Sequence, residues 1–409
     1  MGASAQAERP MRVAVIGAGI IGTSIALELR KRGAEVTLVD RDEPGRGCSF
    51  GNSGAISPSS VAPLAMPGVL ASVPKMLVDS QSPLYLPWTY LPRAASWLWQ
   101  FVASARPSIV AASAEKLAAL HAGALAAHRQ MTTELGVPEL FLQRGHLHLY
   151  PDEQALAKDR QGWELRKAHG FAFEQLGRPE IEALEPRVNP RYRVGIFLAD
   201  HATILDPFRY VQAMACAAAA AGVRIVRGTV SDVQAHGSQW SVHGATAMQD
   251  EAFDHAIVAA GAWSRTLLEP LGFDLPLESQ RGYHLQFRGA RDVVSRTVVL
   301  ADKKVFFTPM EEGLRVGGTV EIAGLDAPAN PRRAAVLERV ARQNFAGLDD
   351  VPHSEWMGHR PCMPDSVPFV GRLPGRPGLW IATGHGHLGL TDSLPTARRI
   401  ADELFASRA

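Results

Sequence analysis

The chain has 409 residues, 46% hydrophobic and 20% charged, which leaves room for about two to three domain-sized units with an ordinary buried core. A net charge of +1 excludes the electrostatic footprint of a nucleic-acid binder or of a protein drawn to anionic lipid by charge. Three cysteines, Cys48, Cys216 and Cys362, with no C-x-x-C pair, exclude a disulfide framework and a thiolate zinc site and fit a reducing compartment.

Residues 1–10 have no apolar centre and precede a second methionine, Met11; they are expected to form a flexible leader. The first predicted element is the β-branched run 12–16, which feeds into Gly17-Ala18-Gly19-Ile20-Ile21-Gly22. A helix over 20–32 follows, Gly33 stops it, and a second strand over 35–40 ends in Asp40. Strand, glycine turn, helix, strand and terminal carboxylate in that order are the pattern of a dinucleotide clamp. Gly17 permits the tight turn, Gly19 lets backbone amides approach a pyrophosphate, and Gly22 lets the helix pack on the sheet. Asp40 is placed to accept from ribose hydroxyls, which suits adenosine and excludes a 2′-phosphate. Which dinucleotide is bound stays open on this motif alone.

Residues 47–74 carry no charge, but their glycines, prolines and serines break the roughly 20-residue apolar helix that a bilayer requires. No spanning segment is expected. Residues 82–101 concentrate Tyr85, Trp88, Tyr90, Trp97, Trp99 and Phe101, with two readings: rings packing a substrate domain or roofing its pocket, or a surface dipping into a lipid interface. Residues 111–135 read as one long helix of an inserted domain, ended by Gly136. The strand over 145–150 projects His146 and His148 to one face; without a third ligand nearby, no metal site is expected, and both should face a cleft or solvent. A helix over 207–221, strands over 223–226 and 228–230, and a buried strand over 254–261 complete the middle of the chain.

The stretch Val258-Ala259-Ala260-Gly261-Ala262-Trp263 resembles the strand that lies against the adenosine half of the cofactor in flavoproteins of glutathione-reductase type. Val230 matches the position whose backbone meets adenine there. The tail is more specific. Gly358-His359-Arg360-Pro361 through Gly371, with Ala382-Thr383-Gly384-His385-Gly386-His387-Leu388-Gly389-Leu390-Thr391, is similar to the D-amino-acid oxidase/dehydrogenase family, which includes glycine oxidase, sarcosine oxidase and bacterial D-amino-acid dehydrogenases. The resemblance runs from Met11 to the C-terminal helix. Residues 47–60, with Ser49, Asn52 and Gly54, are closest to the dehydrogenase branch.

The resemblance implies an α/β architecture: a Rossmann-like FAD-binding domain of glutathione-reductase type and an α+β substrate domain with a mixed or antiparallel sheet. The FAD domain is expected over 11–62, 178–262 and 354–409, and the substrate domain over 63–177 and 263–353. FAD contacts fall to the clamp (Gly17, Gly19, Ile20, Ile21, Gly22, Asp40, Arg41), to Ser49, Asn52 and Gly54, to Val230, Gly261 and Trp263, and to the tail (Gly384, Gly386, Gly389, Leu390, Thr391). Relatives that link flavin through a histidine after the second strand have no counterpart here, since none lies between Asp40 and Pro63, and Cys362 does not match the tail attachment point. Non-covalent FAD is expected.

Physical sense supports the tail. Bare glycines let backbone approach a flat ring, and a helix beginning near Gly389 turns its positive end toward the charge that builds near N1 and the C2 carbonyl of a reduced flavin, with the Thr391 hydroxyl as an added donor. Arg360 matches the arginine that forks onto a substrate carboxylate, a task its planar guanidinium suits. Tyr283 is a candidate second donor to that carboxylate, and His385, between the loop glycines, is a candidate contact to flavin or substrate. The implied reaction is hydride transfer from the Cα of a neutral amine to flavin N5, held at about 3–3.5 Å, with the imino acid hydrolysing afterwards. Electrons pass to a quinone or other acceptor, or to oxygen in an oxidase of glycine, sarcosine or proline type. A nicotinamide dehydrogenase and a flavoprotein without catalysis are the competing classes. A cytoplasmic enzyme is expected, with peripheral contact at the inner membrane face as an option; substrate identity and oligomeric state stay open.

Overall fold

The computed structural model describes residues 9–68, 84–245, 248 and 251–406. Residues 1–8 of the expected leader, 69–74 of the uncharged run, and Ser82 and Pro83 lie outside them.

The run Arg12–Ile16 is buried along almost its whole length, because strands flank it on both sides, helices cover one face and a β-hairpin covers the other. It sits inside a six-stranded sheet ordered Arg224–Arg227, Glu35–Asp40, Arg12–Ile16, His255–Val258, Leu379–Thr383 and Phe369–Arg372. The first five are parallel and the last antiparallel. Helices Ile20–Lys31, Pro207–Ala220 and Gly389–Ala406 share one core on one face. On the other face, the hairpin of Asp232–His236 and Gln239–His243 packs with Leu267, Leu268, Leu275 and Leu277.

The second sheet has nine strands among the described residues, ordered His353–Cys362, Glu278–Arg288, Gly313–Ile322, Val305–Met310, Thr297–Leu300, His146–Tyr150, Val194–Leu198 and Glu174–Leu176, with Leu84–Tyr85 beside Gly313–Ile322. It is mixed: His146–Tyr150 runs parallel to Thr297–Leu300, while the long central pairs are antiparallel. Helix Pro331–Asn344 covers one face through Ala334, Leu337 and Ala341. A three-stranded sheet, Ala55–Ile56, Ala202–Ile204 and Phe141–Leu142, lies between the two large ones.

Several expectations are corrected. Strands Val194–Leu198 and His353–Cys362 pair in the second sheet, whereas the expected boundaries put 178–262 and 354–409 wholly in the nucleotide domain. Conversely, 263–277 packs on the parallel sheet. Residues 111–135 are not one helix: Pro107–His121 and Ala124–Glu134 are separated at Gly123, whose φ of +73° interrupts the helix. The second of these buries Ala127 against the C-terminal helix core, so it belongs with the nucleotide half rather than an inserted domain. By length and hydropathy 107–134 qualifies as a bilayer span; its pieces of 15 and 11 residues each fall short of the roughly 20 required. Residues 228–230 are not a strand but an irregular turn tied back by Gly228 N–H to Asp40 O at 2.7 Å.

His146 does not face cleft or solvent, whereas His148 is half-buried. His146 is buried, with Nδ1 3.0 Å from His201 Nδ1 and Nε2 2.9 Å from Ala202 O. His148 lies edge-on to Trp163 at 5.2 Å. Among the described residues no group of three histidine, cysteine or acidic side chains is arranged to hold a metal. The aromatic stretch is partly packed and partly exposed. Trp97 is buried, stacks on Phe101 and donates to Cys362 O at 3.1 Å, while Trp88 and Trp99 are 75% and 73% exposed.

Candidate active site

The parallel strands end at one edge, and there a cavity opens, as the rule for open α/β sheets requires. Gly17, Asp40, Gly228, Gly261 and Thr383 reach it from five strand ends. Its lining changes character along its length. Asp40, Arg41, Val230 and Trp263 form a polar and aromatic end, with the Arg41 guanidinium 4.0 Å above the Trp263 ring. Cys48, Pro361, His385, Gly386, Gly389 and Leu390 form an end built largely of bare backbone and apolar atoms.

The glycines of the clamp do different work. A Cβ on Gly17, whose φ is +105°, would run into the Ala259 carbonyl, and one on Gly22 would overlap Gly17 O. These two are dictated by packing. Gly261, at φ +55°, has nothing within 4 Å of where a Cβ would stand and faces the cavity. It leaves bare backbone where a bound molecule would lie. A cavity with a polar end, glycines at the turn and an apolar end fits FAD, which the clamp, Arg41, Val230 and Trp263 would hold at one end and residues of the 385–390 loop at the other.

Other expected contacts are placed differently. Gly19, Ile20 and Ile21 line the cavity, but the Ile20 amide donates to Ser49 Oγ at 2.9 Å, so Ser49 caps the helix's first turn while also lining the wall. Asn52 lines it too, and its Oδ1 accepts from Gly54 N at 2.8 Å. The Asp40 carboxylate accepts from Ala18 N at 2.6 Å and Asp42 N at 3.0 Å, so it braces the turn as well as facing the cavity. Gly22, Gly54, Gly384 and Thr391 are not in the lining. Gly54 is held against Ile204 O, and Gly384, at φ +91°, packs on Met363. The Thr391 hydroxyl accepts from Ser57 N at 3.0 Å and donates to Ala55 O at 3.3 Å, tying the C-terminal helix to the small sheet instead of pointing at a ring.

Strand parity separates the two carboxylate candidates. Arg360 pairs in register with Gln280, and Gly282 with Gly358. The half-buried Arg360 guanidinium lies over Gly282, where any Cβ would overlap it, and donates to Thr319 O at 3.0 Å. Arg360 is beside the cavity rather than in its lining. Its charge acts on the cavity-lining Cys48 thiol: burial pushes that pKa up, and Arg360 opposes the push. Tyr283 points to the opposite face. It is buried in the second core; its hydroxyl donates to Glu321 and accepts from Asn330 N at 2.9 Å. The structure therefore does not bring Tyr283 to Arg360.

On the Arg360 face stand His284 and Trp356, stacked at 5.0 Å. The Trp356 ring fills the space above both Gly51 and Gly358, where a Cβ at either position would overlap it. His385 is buried, 3.0 Å from Thr396 Oγ1, and burial pushes its pKa down to about 4, leaving the ring neutral near pH 7. Sequence reasoning missed His359, whose ring meets Trp263 at 5.2 Å and whose Nδ1 is 2.8 Å from Ser279 Oγ; its parity is opposite to that of Arg360, so no sequence signal marked it. It also missed Thr383, whose hydroxyl donates to Gly261 O at 2.9 Å and braces the bare glycine.

Comparison with known proteins agrees with this geometry. The chain is 38% identical over 399 residues to a D-amino-acid oxidase of Bradyrhizobium diazoefficiens, covering 96% of this chain and 94% of the relative. It is 32% identical over 405 residues to a D-amino acid dehydrogenase of Xylella fastidiosa, covering 96% and 91%. The fold is shared with glycine oxidase from Geobacillus kaustophilus at a TM-score of 0.74 and 20% identity, covering 97% and 95% of the two chains. A flavin family sets aside the nicotinamide reading of residues 17–40. Residues 12–403 match the family described as FAD dependent oxidoreductase, and with nearly its whole length matched, the chain belongs to that family.

Proposed function

We propose that this protein oxidises a small amino acid at Cα, with the carboxylate bound by Arg360. One observation carries the reading: a guanidinium bedded on a glycine and held by a backbone carbonyl stands beside the apolar end of the cavity. FAD, when bound, would supply the two-electron acceptor for a hydride from Cα. The chain's own part is to hold the substrate and exclude water. A forked guanidinium fixes orientation as well as charge, and in-line positioning is the main catalytic lever when no side-chain nucleophile is needed. Neutral His385 with Gly386, Gly389 and Leu390 leaves this part of the wall without a charged side chain. The D-amino-acid activity in the two relatives' names supports a D-amino acid or related secondary amino acid as substrate. FAD held without a covalent bond is part of the same reading.

We assign the electrons to a quinone or similar acceptor and the enzyme to the cytoplasm, within reach of the inner membrane face; exposed Trp88 and Trp99 support that contact. An oxygen-using oxidase is the second reading, favoured by the higher identity to the oxidase relative. Anaerobic bleaching of the yellow protein by a panel of D-alanine, D-proline and N-methylglycine tests the substrate class; no bleaching by any amino acid would refute it. Peroxide yield during aerobic turnover separates the acceptors, and co-sedimentation with liposomes tests the membrane contact.

A further inference from the structure

The C-terminal helix Gly389–Ala406 begins at the cavity, with Gly389 and Leu390 in the wall, and carries Asp392 in its first turn. A carboxylate there opposes the positive field that unpaired amides create at a helix start. The Asp392 side chain is 0% exposed, and neither oxygen accepts a hydrogen bond from the described residues. An uncompensated buried carboxylate is costly. The charge opposite it is His121, also 0% exposed, with Nε2 3.1 Å from Asp392 Oδ1. His121 comes from another element, the end of helix Pro107–His121, and its Nδ1 is 3.0 Å from Pro58 O.

Both imidazole nitrogens therefore face acceptors, one a carboxylate and one a carbonyl. Only the doubly protonated ring carries an N–H on the side of each. Burial alone would lower the His121 pKa, but Asp392 and the Pro58 carbonyl outweigh it and the pKa is raised. Neighbouring His128 and His385 are pushed down to about 4 by burial and supply no such cation.

The geometry points to His121 as a positioning residue for the cofactor: as an imidazolium it cancels the Asp392 carboxylate, so that the start of the C-terminal helix still favours negative charge on FAD as it is reduced. This rests on the FAD assignment and not on the proposed substrate. It concerns the reduction equilibrium of the cofactor, which is measured without any amino acid.

The test is the midpoint potential of bound FAD, read by dye equilibration in the holoenzyme, for His121→Gln, Asp392→Asn and the double variant. His121→Gln leaves the carboxylate uncancelled and should disfavour reduction about tenfold or more, a fall of about 30 mV for a two-electron couple. Asp392→Asn and the double variant remove the charge together with its need for a partner, and each should stay within about threefold of the parent. A His121→Gln holoenzyme with unchanged potential would overturn the inference, as would a double variant shifted as far as His121→Gln. Should His121→Gln fail to hold FAD, the double variant must hold it at the parent potential; a double variant that also loses FAD would overturn the inference.

Discussion

The two large sheets meet the cavity in opposite ways. The parallel sheet presents strand ends, so what reaches the cavity is mostly main chain: the turn at Gly17, the backbone at Gly228, bare Gly261. The second sheet presents the long strands Glu278–Arg288 and His353–Cys362, so what it offers is side chains sorted by parity. Arg360, Gly282, His284 and Trp356 fall on one face; Tyr283 and His359 fall on the other. Holding a cofactor by backbone tolerates change in most side chains but no added Cβ at a few positions, whereas the proposed recognition by the second sheet would depend on single side chains in exact register.

That contrast can be broken by substitution, beginning with the strongest case. Gly17→Val should abolish FAD retention, because a side chain at φ +105° also overlaps the Ala259 carbonyl, at a cost of about 3 kcal/mol or more. The purified variant should be colourless, and a yellow product with full flavin absorbance would show that the turn tolerates bulk. Arg360→Ala should keep its colour but raise the substrate KM by roughly 100-fold, the usual size for losing one partner of a desolvated charge pair. A KM within threefold of the parent would move the carboxylate anchor elsewhere.

Acid tests the seam between the sheets, where His146, His201, Ser57 and Ser59 form a buried cluster. Burial lowers His146 to about 4 from an ordinary 6.5, and pushes His201 well below 6.5. A histidine whose folded pKa lies below its unfolded one contributes stability fully above pH 6.5 and loses it as pH falls toward 4, since the unfolded chain binds the proton first. The urea midpoint should therefore drop across that window. His146→Phe should flatten the dependence by up to about 1.4 kcal/mol per pH unit, and an unaltered slope would mean the ring is already charged when folded. The smallest effect is expected from Tyr283→Phe. Its hydroxyl serves Glu321 and Asn330, so stability should fall by about 1–3 kcal/mol while KM stays put. A tenfold KM change would place Tyr283 in the substrate site after all.

The same contrast explains what could be read from residues in order. The clamp at 17–40 and the 384–391 loop were legible because backbone requirements appear as glycines at fixed spacing. Tyr283 was misplaced because alternation along a strand says that neighbours in parity share a face, but pairing with a strand 70-odd residues away decides which face that is. Thr391 and Gly384 fall outside the lining for a related reason: each sits within a recognisable motif yet also packs on or bonds to a distant partner, Ala55 and Ser57 in one case and Met363 in the other. The expected domain limits depart from sheet membership where the chain passes from one sheet to the other, and the division of 107–134 at Gly123 was hidden because the alanine-rich pattern continues on both sides. The His121–Asp392 pair had no sequence signal, since its partners stand on helices far apart in the chain.

The tryptophan lying across two glycines has a consequence for how this protein can diverge. Gly51 and Gly358 are each barred from gaining a side chain while position 356 holds an indole. Shrinking that ring would free both at once and open a hole between the loop and the sheet. In any lineage descended from this chain, these three positions should drift as a set, with the ring changing first and the glycines only afterwards.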